Sequence, residues 1–266
     1  MPKDYFYFMN KLLTLFFAIT FILGAIWAFG LYKNAKDYGA PPYVEDIQES
    51  ETPTNFFDEY YNWTRPNGPI KIGLQAGHWK TDEMPEEQTR IRKNGGGTSG
   101  QGVAEWKVVL KIAEETAKIL EEQGYIVDIL PATVPVDYWA DAFISIHADG
   151  NVNPIVNGYK TAAYQRDRTG NAQKLSNYLQ EEYGKITNLP VDPNITRNMT
   201  RYYAFNSRRY EHAIHPMTPG VLVETGFMTN YKEATMLINS PEVPAQGIAN
   251  GIVKFIQSLN IEKSNL

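Results

Sequence analysis

Apolar residues in this chain fall into short runs of strand length, and between them lie stretches with apolar positions every three or four residues. Residues 70–76, 125–130, 142–146, 159–164 and 221–224 are the short runs. Residues 103–123 carry Val108, Val109, Ile112, Thr116, Ile119 and Leu120 on one helical face, and Gly124 stands where such a helix stops. A second helix is expected over 171–183, with Leu175, Tyr178, Leu179 and Tyr183 turned inward. Two more are expected over 231–238 and 241–259. The last has Ser240 as N-cap, Pro241 in its first position, and Ile248, Ile252, Phe255, Ile256 and Leu259 facing the core. Strands alternating with helices predict an α/β three-layer sandwich whose central sheet is mostly parallel.

Three of the apolar runs end on groups that carry chemistry. Residues 72–77 run into His78, residues 143–146 into His147, and Val221-Leu222-Val223 into Glu224 before the turn at Gly226. A carboxylate that ends a buried strand is costly unless it is paired, bound to a metal or open to a cleft. Sites of open α/β sheets lie outside the carboxyl ends of the strands, which brings His78, His147 and Glu224 to one rim. Glu105 opens the long helix and points to the same rim. Each has a plain structural alternative: His78 as a turn histidine, His147 as a hydrogen-bonded core histidine, Glu105 as a carboxylate favoured by the helix dipole.

The amino end is of a different kind. Residues 12–32 contain no charged side chain and are bracketed by Lys11 and Lys33. That length crosses a bilayer as a helix, and Ala25 and Ala28 are wrongly spaced for a cleavage site. Residues 1–36 are therefore expected to be an uncleaved single-pass anchor. Residues 37–69, interrupted by Pro41, Pro42, Pro53, Pro66 and Pro69 and rich in Asp and Glu, are expected to be a linker. Its aromatics, Phe56, Phe57, Tyr60, Tyr61 and Trp63, suggest docking on the domain that follows, which spans 70–262.

Composition narrows the chemistry. The net charge of −5 gives no general attraction to nucleic acid. Without cysteine, disulfides, thiolate metal sites and cysteine nucleophiles are excluded, so any metal must be held by His, Asp or Glu. If His78, Glu105 and His147 converge, they form a catalytic zinc set of three protein ligands with a position left for water. Glu224 then suits the proton-transfer role. His212 and His215, the remaining two of the four histidines, are expected to be loop residues. The run Gly95–Gly100 lacks the lysine of a phosphate loop and is expected to be a mobile connector. Arg197, Arg201, Arg208 and Arg209 read first as a solvated face, and alternatively as forks for the carboxylates of an acidic peptide.

Four segments resemble the zinc-dependent N-acetylmuramoyl-L-alanine amidases, the cell-wall hydrolases of bacteria. They are Ala76-Gly77-His78; Gly102-Val103-Ala104-Glu105-Trp106; residues 140–148, ending Ser145-Ile146-His147-Ala148; and residues 223–230, beginning Val223-Glu224-Thr225-Gly226. The resemblance implies zinc on His78, Glu105 and His147, with Glu224 as catalytic glutamate. It also implies a peptidoglycan substrate cut between the lactyl group of N-acetylmuramic acid and L-alanine, outside the cytoplasmic membrane. Residues 79–102 and 130–139 depart from the family pattern and lie where a rim would be. Two other functions fit the same residues: a zinc peptidase acting within wall peptides, and a non-catalytic module that binds the wall or a partner.

Overall fold

The sequence pattern resolves into strands that alternate their faces. β1 (Lys71–Ala76) sends Ile72, Leu74 and Ala76 to one side and Gly73 and Gln75 to the other. Two short strands, β2 (Ser99–Gly100) and β3 (Val103–Ala104), pair by themselves, while β4 (Ile126–Leu130), β5 (Ala142–Asp149), β6 (Lys160–Ala163) and β7 (Gly220–Phe227) join β1 in a five-stranded sheet of order β4-β1-β5-β7-β6. The first four in that order are parallel, and β6 closes the edge antiparallel to β7. This computed structural model describes Tyr60 and residues 62–259. The expected anchor, most of the linker and residues 260–262 lie outside the described residues, and among the described residues no helix is long and apolar enough to cross a membrane. The chain divides into two units, Met1–Tyr61 and Asn62–Leu266, and the sheet belongs to the second.

One face of the sheet carries the larger core. The helix Glu105–Glu121 buries Val108, Val109, Ile112, Ala113 and Leu120 against Ile72, Leu74, Ile144 and Ile146. The helices Ala172–Thr187 and Glu242–Ser258 pack beside it, and Tyr231–Asn239 follows β7. Gly124 ends the first of these at φ 84°, as the pattern requires. The last helix starts one residue later than expected: Pro241 is its N-cap, while Ser240 closes the preceding helix and its side chain caps neither.

The opposite face is covered differently from the expected helical layer. Its cover is the loop over 132–140, the short helix Arg197–Thr200 and the single turn Tyr203–Phe205. Phe143, Leu222, Phe205, Ile214 and Met199 form its smaller core. Buried polar groups there are satisfied: Ser145 donates to Gln75, and Gln75 and Tyr203 both donate to the carbonyl of Ala132. This layer is thin, and it leaves the strand ends accessible.

The chain enters at the amino-terminal end of the strands. Arg65 makes a two-pronged bond to Asp141, at 2.6 and 2.8 Å, and also donates to the carbonyls of Pro66, Gly68 and Pro69. Trp63 packs against Trp139 and His215, so this aromatic docks as expected; Phe56, Phe57 and Tyr61 lie outside the described residues.

Candidate metal centre

His147 on β5 and Glu224 on β7 are register partners on adjacent parallel strands, so their side chains rise on the same, thinly covered face. β1 ends one residue before Gly77, and His78 follows with a left-handed φ of 62°, a costly conformation for a non-glycine residue. Glu105 lies in the first turn of its helix, as expected, but as its first residue, because the helix does not begin at Val103. Val103–Ala104 instead pairs with Ser99–Gly100 in a two-stranded hairpin.

These elements bring three donors together. The ligating atoms of His78, Glu105 and His147 all lie within 4.8 Å of one another. Glu105 Oε1 is 3.0 Å from His147 Nδ1 and 3.4 Å from His78 Nε2. His78 Nδ1 lies 2.6 Å from the carbonyl of Gly95. A proton on Nδ1 therefore satisfies that carbonyl and frees the Nε2 lone pair towards the cluster. His147 Nε2 lies 3.0 Å from the hydroxyl of Tyr202, so a proton there likewise leaves Nδ1 facing Glu105. Burial pulls the His78 ring below its ordinary value, against Glu105. Burial acts the same way on His147, but the Glu105 carboxylate outweighs it and raises that ring. Glu105 is 3% exposed, and burial alone would raise its carboxyl; the two histidines and the Thr98 N–H hold it below the ordinary range. It is therefore an anion with fixed partners.

The glycines here are requirements of space. A Cβ on Gly77 would lie 2.4 Å from His147 Cε1 and 2.5 Å from Nδ1. Gly97 has φ 68°, and a Cβ there would meet Glu105 Oε2 at 2.9 Å. The expectation of a mobile connector over Gly95–Gly100 is thus corrected. Its backbone is bonded to the cluster at Gly95 and Thr98, and the Thr98 carbonyl accepts from Glu105 N–H at 2.9 Å.

Glu224 stands beside this cluster. Its Oε2 is closed off from solvent and has no hydrogen-bond partner among the described residues. Burial pushes its carboxyl up to about 7, with Glu105 and Asp149 adding to the effect against His147. On the far side of Glu224 its register partner Lys160 is 5% exposed, held by Asp149 at 2.6 Å and Asp192 at 2.7 Å. Two histidines and an anionic carboxylate are a donor set for a divalent ion of zinc type. A carboxyl that both holds and releases a proton near neutrality lies within the same cleft.

The other candidates fall elsewhere. His212 is tied to Glu87 at 2.8 Å, and His215 accepts the N–H of Met217, so both are loop residues as expected. Of the four arginines, Arg201 and Arg209 line a cavity beside His78 and His147, whereas Arg197 and Arg208 do not. Arg90 and Tyr202 also reach that cavity and were missed. Arg90 sits in the stretch 79–102 that departs from the family pattern, and a tyrosine touching a histidine across 55 residues leaves no local signal.

Residues 72–257 match the family described as N-acetylmuramoyl-L-alanine amidase. Among individual proteins, the chain is 25% identical over 217 residues to the N-acetylmuramoyl-L-alanine amidase AmiA of Salmonella typhimurium, covering 64% of this chain and 74% of that protein. It is 27% identical over 209 residues to AmiC of Neisseria meningitidis, covering 61% and 50%. Its fold resembles that of the CwlD amidase from Clostridioides difficile, solved in complex with the GerS lipoprotein, with TM-score 0.51, 20% identity and coverage of 71% and 99%. It also resembles that of Ami1 from Mycobacterium smegmatis, with TM-score 0.52, 17% identity and coverage of 71% and 97%.

Proposed function

The chain belongs to the N-acetylmuramoyl-L-alanine amidase family, and on that premise we propose that residues 70–262 are a zinc-dependent hydrolase domain. It cuts the amide between the lactyl group of N-acetylmuramic acid and the L-alanine of the peptidoglycan stem peptide. His78, Glu105 and His147 would hold the zinc ion. When bound, the ion would supply an activated water and polarise the amide carbonyl. Glu224 takes the proton of the attacking water and delivers it to the leaving nitrogen of L-alanine. Tyr202 and the Gly95 carbonyl fix the two imidazole rings from behind.

The observation that carries this reading is the orphaned Oε2 of Glu224. A carboxylate oxygen shut away with no partner is expensive for the fold, and here it belongs to a residue one strand from His147 that lines the cleft. The uncharged run over 12–32 supports residues 1–36 as a single-pass membrane anchor and 37–69 as its linker. The catalytic domain would then work on the extracytoplasmic side, next to its polymer.

The test is Glu224→Gln on purified muropeptides. Turnover is expected to fall by about 10²–10⁴-fold with zinc content unchanged, and the wild-type product is an intact stem peptide free of sugar. Hydrolysis by the variant at the wild-type rate, or by chelator-treated wild type, would sink the reading. Alanine left on the sugar would instead identify a peptidase.

A further inference from the structure

The metal centre is flanked by two cavities of opposite charge. Both reach His78 and His147. The first, of about 430 Å³, contains Arg90, Arg201 and Arg209 and no carboxylate among its lining residues. The second contains Glu105, Asp149 and Glu224 and no lysine or arginine. Its remaining polar groups include Thr98, Asn151 and Thr229, which carry hydroxyl and amide functions.

The arginines of the first cavity are held but not neutralised. Arg201 Nε donates to the side-chain carbonyl of Gln165 at 2.7 Å, which orients the guanidinium without cancelling its charge. The Arg209 guanidinium lies 5.2 Å from the Tyr210 ring, a stacked arrangement that likewise leaves the charge intact. Among the described residues no carboxylate pairs with Arg90, Arg201 or Arg209. Guanidinium groups converging on one cavity without a counter-charge are arranged for an anion that arrives from outside, and their planar forks match carboxylates.

We propose that this cavity is the peptide side of the substrate site and binds a glutamate carboxylate of the stem peptide on the L-alanine side of the scissile bond. The inference rests on the amidase reading above and adds a direction to it. With the amide across His78 and His147, the peptide runs towards Arg201 and Arg209. The uncharged sugar then lies over the second cavity, whose carboxylates would repel the peptide's own and whose hydroxyl and amide groups suit sugar hydroxyls. Arg90 lines the same cavity.

Two synthetic substrates separate this from general binding. Both are C-terminally amidated N-acetylmuramoyl-L-alanyl peptides, identical except that glutamate in one is glutamine in the other. For the zinc-loaded full chain, kcat/KM is expected to favour the glutamate form by about tenfold or more, the effect of a charge-assisted bond. This preference shrinks as salt rises. Arg201→Gln combined with Arg209→Gln brings the ratio close to one while zinc content holds. A wild-type ratio near one, or a ratio that survives the double substitution, overturns the proposal. If neither substrate is cleaved, the amidase reading fails on its own. Calorimetric binding of the two L-alanyl peptides to the Glu224→Gln protein then decides the matter. A glutamate preference that the arginine substitutions abolish upholds the proposal, and equal binding ends it.

Discussion

Gly77→Ala adds one methyl group, and its effect follows from three distances. The new Cβ would lie 2.4, 2.5 and 2.7 Å from His147 Cε1, Nδ1 and Nε2. Non-bonded carbons settle at about 3.5–4.0 Å, so either ring or backbone must retreat by about 1 Å. The backbone is the stiffer of the two, because Gly77 N–H donates to the Ile146 carbonyl at 2.9 Å and ties this residue to β5. The ring therefore moves. Metal–nitrogen bonds tolerate only about 0.2 Å, and disturbing groups outside the ligand shell already costs about 10–100-fold in metal affinity. Zinc affinity is expected to fall at least that far, by roughly 1.4–2.7 kcal/mol. Crowding alone should lower the stability of the metal-free protein by about 1–3 kcal/mol. Competition against a colorimetric chelator measures the first quantity, and denaturant unfolding in excess chelator measures the second. A double-mutant cycle supplies the sharper check: in a His147→Ala background the methyl meets no ring, so its stability cost should vanish. Wild-type zinc affinity in Gly77→Ala, or an undiminished cost in that background, would refute the reasoning.

Three further outcomes are expected. Glu224 in the metal-free protein has a folded pKa of about 7 against an ordinary 4.5, so its penalty is absent at low pH and grows as pH rises between those values. Stability should decline across that window by at most about 3 kcal/mol, and Glu224→Gln should remove the decline; parallel curves for the two proteins in urea at several pH values would contradict this. Lys160→Met leaves Asp192, which is 6% exposed, without its cation and should cost about 3 kcal/mol in thermal unfolding, the low end for breaking a buried pair because Asp192 keeps two bonds from Asn194 and Asp149 is partly open to solvent. An unchanged melting temperature would show that the ion pair contributes little. Gly251→Ala puts a Cβ 2.7 Å from Leu179 Cα where two helices touch. It should destabilise the fold by about 1–3 kcal/mol yet leave zinc affinity alone, and a loss of zinc there would mean that helix packing reaches the site.

Much of this was legible in the sequence because burial writes a period into it. β1, β5 and β7 sit in the interior of the sheet, so they read as unbroken apolar runs, and their chemistry shows where each run stops: His78, His147, Glu224. Glu105 was visible as the polar exception at the start of an apolar stripe. What burial does not encode was lost. The cover of the second face is built from loops and single turns, whose residues follow no period, so Tyr202 gave no sign of its position, and Arg90 lies in a six-residue helix, Thr89–Asn94, too short to show one. The connector over 95–100 was misread because glycine usually means freedom. Gly97 is there because a side chain would strike Glu105 and His78. Ser240 failed as a cap because the preceding helix ends on it, and one residue cannot serve both roles well.

The clasp of Arg65 on Asp141 sits at the foot of β5, while His147 sits at its crown. Residues 62–69 therefore lead into the sheet on the side away from the cleft. A pull on residues 62–64 would be borne by the guanidinium–carboxylate clasp and the roots of the strands, and would leave the three donors at rest.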